Sequence, residues 1–127
     1  VFIPAALENQ VTEEIAPDMQ VKIICEGANG PLTYGAHEML SKKGVYIIPD
    51  ILANAGGVIV SYFEWVQNIM KFYWDIKEIQ EKQEKIMVNA LGELLEIEKS
   101  YKTDLRTAAY IKAISSISEA MEERGWS

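Results

Sequence analysis

Two turns rich in asparagine and glycine could hold a flat, polar small molecule: Glu26-Gly27-Ala28-Asn29-Gly30-Pro31 and Ala53-Asn54-Ala55-Gly56-Gly57. Each Asn side chain offers both a donor and an acceptor. The glycines, lacking a Cβ, let a ligand approach the backbone. Ser61 adds a hydroxyl one helical turn beyond the second of them. Either turn alone reads as an ordinary strand-to-helix connection. Both, however, follow an apolar run, and Pro4-Ala5-Ala6 stands in the matching place after a third. Three equivalent loops at one end of neighbouring parallel strands converge on a crevice at the carboxyl edge of an α/β sheet, the usual ligand position in such folds.

The elements that must position these loops are legible in the apolar pattern. Residues 1–3, 21–25 and 45–48 are short β-branched runs, each closed by Pro, Gly or small polar residues. The stretches between them, 8–19 and 32–43, are long enough for crossover helices, and Pro31 suits a first helical position. Pro17 should end the first helix early, and Gly44 caps the second. Near-continuous apolar strands alternating with helices predict a parallel sheet covered on both faces, with right-handed crossovers. Beyond Pro49 the pattern is helical. One helix is expected over 55–73. A second carries Ile76, Ile79, Gln83, Ile86, Ala90, Leu94 and Ile97 as an amphipathic stripe. A third, over 104–124, has Ala109, Ala113, Ile117 and Met121 along one side, Asp104 as cap and Gly125 as stop. No repeat, low-complexity tract or flexible linker interrupts the chain.

At 127 residues and 49% hydrophobic content the chain holds one domain or part of one, with enough apolar surface for a core. A formal charge of −7 argues against a nucleic-acid partner, since no cluster of Lys or Arg is present to neutralise phosphates. No apolar run reaches the ~18 residues that a membrane span needs, and the amino end has no basic n-region of a signal peptide. Cys25 is the single cysteine, which excludes an internal disulfide and fits a reducing cytoplasm. The chain opens on Val1-Phe2-Ile3-Pro4, inside a strand pattern and without an initiating Met. Domain boundaries usually fall in exposed linkers, so this start reads as a piece of a longer protein.

The segments Pro4-Ala5-Ala6-Leu7-Glu8-Asn9, Glu26 to Pro31, and Pro49 to Asn68, with its Gly56-Gly57 pair and Ser61-Tyr62-Phe63-Glu64-Trp65, resemble the glutamate dehydrogenases of the glutamate/leucine/phenylalanine/valine dehydrogenase family. They stand in the family's order and at its intervals. Leu105-Arg106-Thr107-Ala108-Ala109-Tyr110 is similar to that family's last helix. The resemblance spans essentially the whole chain. It implies an α/β fold that is the C-terminal half of a Rossmann-like NAD(P)-binding domain, three short parallel strands with helices followed by a helical C-terminal segment. The chain would be a single partial domain, with 1–50 as the half-Rossmann part and 51–127 as C-terminal helices. It further implies that Ala5, Ala6, Asn29 and Asn54 bind the nicotinamide-ribose half of NAD or NADP. Gly57, Val58 and Ser61 would face the amino acid, with the Ser61 hydroxyl near the glutamate side-chain carboxylate. The implied reaction is reversible oxidative deamination of L-glutamate to 2-oxoglutarate and ammonium, in an enzyme that forms a homo-hexamer. Leu32-Thr33-Tyr34-Gly35 departs from the commoner threonine-threonine-proline-glutamate version of that segment.

The phosphate-binding G-x-G-x-x-G turn and the acidic residue that holds the adenosine ribose are not in this sequence. The family's catalytic lysine and aspartate belong to a separate substrate domain, and no lysine here has a comparable glycine-rich setting. The chain is therefore expected to supply one wall of a cleft, to carry no catalytic residue and to be inactive alone. Two alternatives remain: a leucine-, phenylalanine- or valine-type dehydrogenase, and a non-catalytic binding or interaction module that retains the fold. Ser61 discriminates against the first, because an aliphatic pocket gains nothing from a hydroxyl. His37, without a partner at metal spacing, is read as surface or partial core, and Cys25 as a small buried hydrophobe. Phe63, Trp65, Tyr73 and Trp74 are read as packing anchors, and Glu64 as a buried hydrogen-bond partner.

Overall fold

Strands β1 (Ile23–Cys25) and β2 (Tyr46–Ile48) run parallel, with Ile24 opposite Ile47 and Cys25 opposite Ile48. The computed structural model, which describes residues 1–126, joins them through helix α1 (Tyr34–Lys42). Four further helices follow: α2 (Asp50–Ala53), α3 (Gly56–Met70), α4 (Ile76–Tyr101) and α5 (Leu105–Glu123). The α/β class and the parallel pairing match the sequence expectation.

The sheet is covered on both faces because neighbouring strand residues point opposite ways. Ile24 and Ile47 enter a core built with Val11, Ala16, Leu32, Ala36, Leu40 and Val45. Ile48, the next residue along β2, packs instead against a second core of Leu52, Leu94, Leu105 and Ala109. The helices therefore divide between the two faces, α1 on one and α4 with α5 on the other. On α4 the expected stripe is inward only in part: Leu94 is buried, Ile79, Gln83, Ala90 and Ile97 are half-buried, and Ile76 and Ile86 are exposed. On α5 the buried side ends early: Ala109 is buried, whereas Ile117 and Met121 are exposed.

Local signals set the helix ends. Asp75 accepts from the Glu78 amide while the Glu78 side chain accepts from the Asp75 amide, a complete capping box for α4. Asp104 caps α5 through the Thr107 amide at 2.8 Å. Gly44 ends α1 at φ +80°, a left-handed conformation that glycine adopts without penalty.

Four expectations change. Residues 1–3 form no full strand: Phe2 makes one parallel bridge to Ile24, through Phe2 N–H to the Ile23 carbonyl and Cys25 N–H to the Phe2 carbonyl. The third strand is thus reduced to its central residue beside a two-stranded ladder. Residues 8–19 do not form a helix; only Ala16–Asp18 make a 3-10 turn. The Val11 amide donates to the Pro31 carbonyl and the Thr33 amide to the Val11 carbonyl, so this segment pairs with a neighbouring loop rather than with itself. Pro31 is not a first helical position, since Thr33 is the N-cap of α1. Finally, the helix expected over 55–73 ends at Met70, and the short α2 precedes it as a separate turn.

Candidate functional site

Both strands end at the same edge, and the loops that leave them meet there. The Glu26 amide donates to the Ile48 carbonyl at 3.1 Å, closing the ladder just before the first Asn turn. The chain after Phe2 runs alongside, and the Ala28 amide donates to the Pro4 carbonyl at 2.9 Å. Gly27 suits this close approach: a Cβ there would stand 3.0 Å from the Ala5 methyl, a tight contact. Gly30 turns the loop at φ +53°.

Across this edge the Asn54 side-chain amide donates to Asn29 Oδ1 at 2.6 Å. The two residues join in an open cleft of ≈ 620 Å³ whose walls also include Ala6, Gly27 and Ala28. The paired amides retain one carbonyl acceptor on Asn54 and one NH2 donor group on Asn29 without a protein partner among the described residues. That donor and acceptor set suits a carboxamide or a ribose hydroxyl pair, and the small walls admit a planar ring.

Of the residues predicted for the cofactor, Ala6, Asn29 and Asn54 thus line one cleft, and Ala5 packs directly behind it on Gly27. Those predicted for the substrate lie together elsewhere, outside the cleft lining. Gly57, Val58 and Ser61 occupy the exposed first turns of α3, where the Ser61 hydroxyl donates back to the Gly57 carbonyl at 3.0 Å. Nothing packs over Gly57, since an added Cβ would meet open space.

A charged cluster beneath the Asn pair escaped the sequence reading. Glu26 is fully buried, and its Oε2 accepts from Arg106 Nη2 of α5. Arg106 Nη1 donates to Asp50 Oδ1 at 3.1 Å. Asp50 Oδ2 accepts from the Gly30 amide at 2.8 Å, and the Asp50 amide donates to Glu26 Oε2 at 2.8 Å. Partial burial pushes the Asp50 carboxyl up, but the Gly30 and Ile51 amides and the Arg106 guanidinium outweigh it and hold it below its usual range. Desolvation likewise works against the Arg106 charge, and the carboxylates of Glu26 and Asp50 more than offset it, raising its pKa. The signal that could have found the cluster was an acidic residue a few positions before each Asn, Glu26 before Asn29 and Asp50 before Asn54; the basic partner lies 80 residues from Glu26.

The remaining side chains divide. His37 is buried on α1, as partial core, with burial and then the nearby Arg106 charge lowering its pKa. Cys25 is half-buried. Phe63 and Trp74 form an edge-to-face pair at 5.8 Å, true packing anchors. Trp65 and Tyr73 are exposed, and so is Glu64, so the anchor reading fails for the first two and the buried-partner reading for the third. Phe63 faces α4 from the inner side of α3, whereas Glu64 and Trp65 follow on its outer side. Among the described residues no His/Cys/Asp/Glu group could hold a metal ion, and no helix is long and apolar enough to cross a membrane.

Comparison with known proteins gives a consistent answer. The profile of the glutamate/leucine/phenylalanine/valine dehydrogenases matches residues 1–125. The chain is 48% identical over 126 residues to the NAD-specific glutamate dehydrogenase of Clostridioides difficile, covering 99% of this chain and 30% of that protein. It is 48% identical over 125 residues to the NADP-specific glutamate dehydrogenase of Synechocystis sp., covering 98% and 29%. The crystal structure of glutamate dehydrogenase from Peptoniphilus asaccharolyticus superposes with a TM-score of 0.94 at 46% identity, over 98% of this chain and 32% of that one. The chain spans about 30% of the length of the curated relatives it matches.

Proposed function

The chain belongs to the glutamate/leucine/phenylalanine/valine dehydrogenase family, and on that premise we propose that it forms one wall of the NAD(P) cleft of a glutamate dehydrogenase. The observation that carries this reading is the Asn29–Asn54 pair, whose free donor and acceptor open into the cleft. Ala5, Ala6, Asn29 and Asn54 hold the nicotinamide-ribose half of the dinucleotide. NAD or NADP, when bound, accepts or returns the hydride of the substrate carbon. The work of this chain is to orient the ring: the Asn amides fix one edge by directional hydrogen bonds, and the alanines leave its face clear.

Gly57, Val58 and Ser61 face the amino acid. Because Ser61 sits one turn above Gly57 on the same side of α3, its hydroxyl can leave the Gly57 carbonyl and donate to a substrate carboxylate instead. The substrate is L-glutamate, deaminated to 2-oxoglutarate and ammonium, and the reading as glutamate rather than a leucine, phenylalanine or valine enzyme rests on that hydroxyl. The relatives support it, being glutamate dehydrogenases of both cofactor preferences. Residues 1–50 act as the half-Rossmann part and 51–127 as the helical part of one partial domain. The complete enzyme is a soluble, cytoplasmic homo-hexamer in this proposal. The exposed side chains of Tyr62, Trp65 and Ile69 on α3 form the surface that such an enzyme's remaining polypeptide would cover.

Two measurements test the proposal. Titrated with NAD, this chain alone should bind more weakly than about 1 mM, because it lacks the glycine-rich phosphate turn. A micromolar complex would overturn the one-wall reading and favour a self-sufficient binding module. In a glutamate dehydrogenase that carries this segment, Ser61→Ala should raise the KM for glutamate with little change in the KM for the dinucleotide. Unchanged kinetics remove Ser61 from the site.

A further inference from the structure

Arg106, which belongs to neither Asn turn, bonds an acidic residue ahead of each Asn. We propose that Arg106 is a positioning residue for the cofactor cleft, clasping both turns from the first turn of α5. The inference rests on the cleft being the nicotinamide site.

The connection is continuous. Arg106 holds Glu26 through Nη2 and Asp50 through Nη1. Glu26 opens the turn that carries Asn29, and Asp50 opens the segment that ends in Asn54. Asp50 reaches both: its Oδ2 accepts from Gly30 N–H at 2.8 Å, one residue after Asn29, and its carbonyl accepts from Asn54 N–H at 3.1 Å. Asp50 N–H returns to Glu26 Oε2 at 2.8 Å, so the two carboxylates are tied to each other as well as to the guanidinium. Moving either Asn relative to the other requires breaking at least one bond of this set.

Arginine is the residue this geometry needs. Its planar fork sends parallel donors to two different acceptors, whereas a lysine ammonium is a single point charge on a flexible stem. The base of the fork is rigid: Leu105 is 1% exposed in the second core, and Asp104 caps the same turn. Arg106 is therefore fixed by α5 packing on one side and fixes the cleft on the other. An ion cluster that is largely desolvated, as here with Glu26 fully buried, is a poor source of stability compared with apolar packing, because desolvation offsets the attraction, and a role in setting register accounts for it.

The test uses the uniformly 15N-labelled chain, followed by NMR at the side-chain amides of Asn29 and Asn54. Arg106→Lys keeps a positive charge but cannot hold both carboxylates. The double variant Glu26→Gln/Arg106→Met removes the clasp without leaving a buried, unpaired charge, in case the single change impairs folding. Leu40→Ala destabilises the opposite core without touching the clasp. In ligand-free protein, both clasp variants should shift the Asn54 side-chain resonance and speed its hydrogen exchange about fivefold, the equivalent of one lost hydrogen bond, while Leu40→Ala leaves it in place. Resonances that stay unmoved in both clasp variants, or that move equally in Leu40→Ala, overturn the proposal. Oxidised nicotinamide mononucleotide, added at millimolar concentration, should perturb both Asn amides in the wild-type chain and less so in Arg106→Lys. A wild-type chain whose Asn amides ignore the mononucleotide, yet respond to Arg106→Lys without ligand, refutes the cofactor reading and leaves the mechanical clasp standing.

Discussion

His37 Nε2 lies 3.9 Å from Asp104 Oδ2, across the junction of α1 and α5, near enough to feel the carboxylate but beyond hydrogen-bond reach. Its Nδ1 is buried without a hydrogen-bond partner among the described residues. Burial, followed by the Arg106 charge, outweighs the attraction of Asp104 and Glu26 and lowers its pKa from the ordinary 6.5. The folded chain thus binds this proton less readily than the unfolded chain. Stability should be unaffected by His37 above pH 6.5 and should fall as the pH drops below it, until the folded imidazole also protonates. Because the sequence holds one histidine, His37→Gln should flatten the dependence of Tm on pH between about 7.5 and 5.5. An equally steep slope in the variant would assign it to other groups.

The Asn54–Asn29 bond gives a second prediction. Removing either amide deletes the 2.6 Å link and one side of the ligand's polar contacts. A hydrogen bond is worth about 1 kcal/mol net, so Asn29→Ala or Asn54→Ala should weaken nicotinamide mononucleotide binding at least about fivefold. Asn68→Ala, at the far end of α3 where Asn68 Oδ1 accepts from the Tyr73 hydroxyl, serves as the control and should change nothing. Titration heats or line shifts that match between Asn54→Ala and Asn68→Ala would exclude the pair from the site.

The residues that read correctly from sequence are those whose role is local. Gly44, Asp104 and the apolar run 45–48 each act within a few positions, so the sequence pattern carries their function. Residues 8–19 show the limit. They are long enough for a crossover helix, but Asn9 sits at φ +52° and Val11 spends both backbone groups on the 31–33 loop. A tertiary pairing took the place of the local helix. The two Asn turns were legible as short motifs beyond the strand ends, although α2 separates the second from β2. The Glu26–Arg106–Asp50 clasp was not, since its members are ordinary charged residues until folding brings α5 under the sheet edge.

The second core supplies a test of how much α5 contributes to the sheet. Leu105 is 1% exposed and touches the group formed by Leu52, Leu94 and Ala109. Truncation to Ala removes buried methyl groups and leaves a cavity, with a typical loss of about 2–5 kcal/mol. Ile117→Ala, further along the same helix and 61% exposed, should fall within about 0.5 kcal/mol of wild type. Urea unfolding of the two variants measures both. Equal effects would mean that α5 is anchored along its whole length rather than at its first turns.

Tyr46 joins β2 to α4 through its hydroxyl, which donates to Glu98 Oε2 at 3.1 Å. Partial burial, then the hydrogen bond and charge of Glu98, push its pKa from 10.0 up to about 12. The sign is opposite to that at His37: the folded chain retains a proton that the unfolded chain releases. The linked stability is complete below pH 10 and is lost as the pH rises towards 12. Tyr46→Phe keeps the ring that packs on the strand but has no proton to hold, so its stability should vary less with pH across that interval. Glu98→Gln should bring the Tyr46 transition back towards 10 without abolishing it, because the burial contribution remains. An absorbance titration at the phenolate band distinguishes the two causes: a transition still near 12 in Glu98→Gln would assign the whole shift to burial.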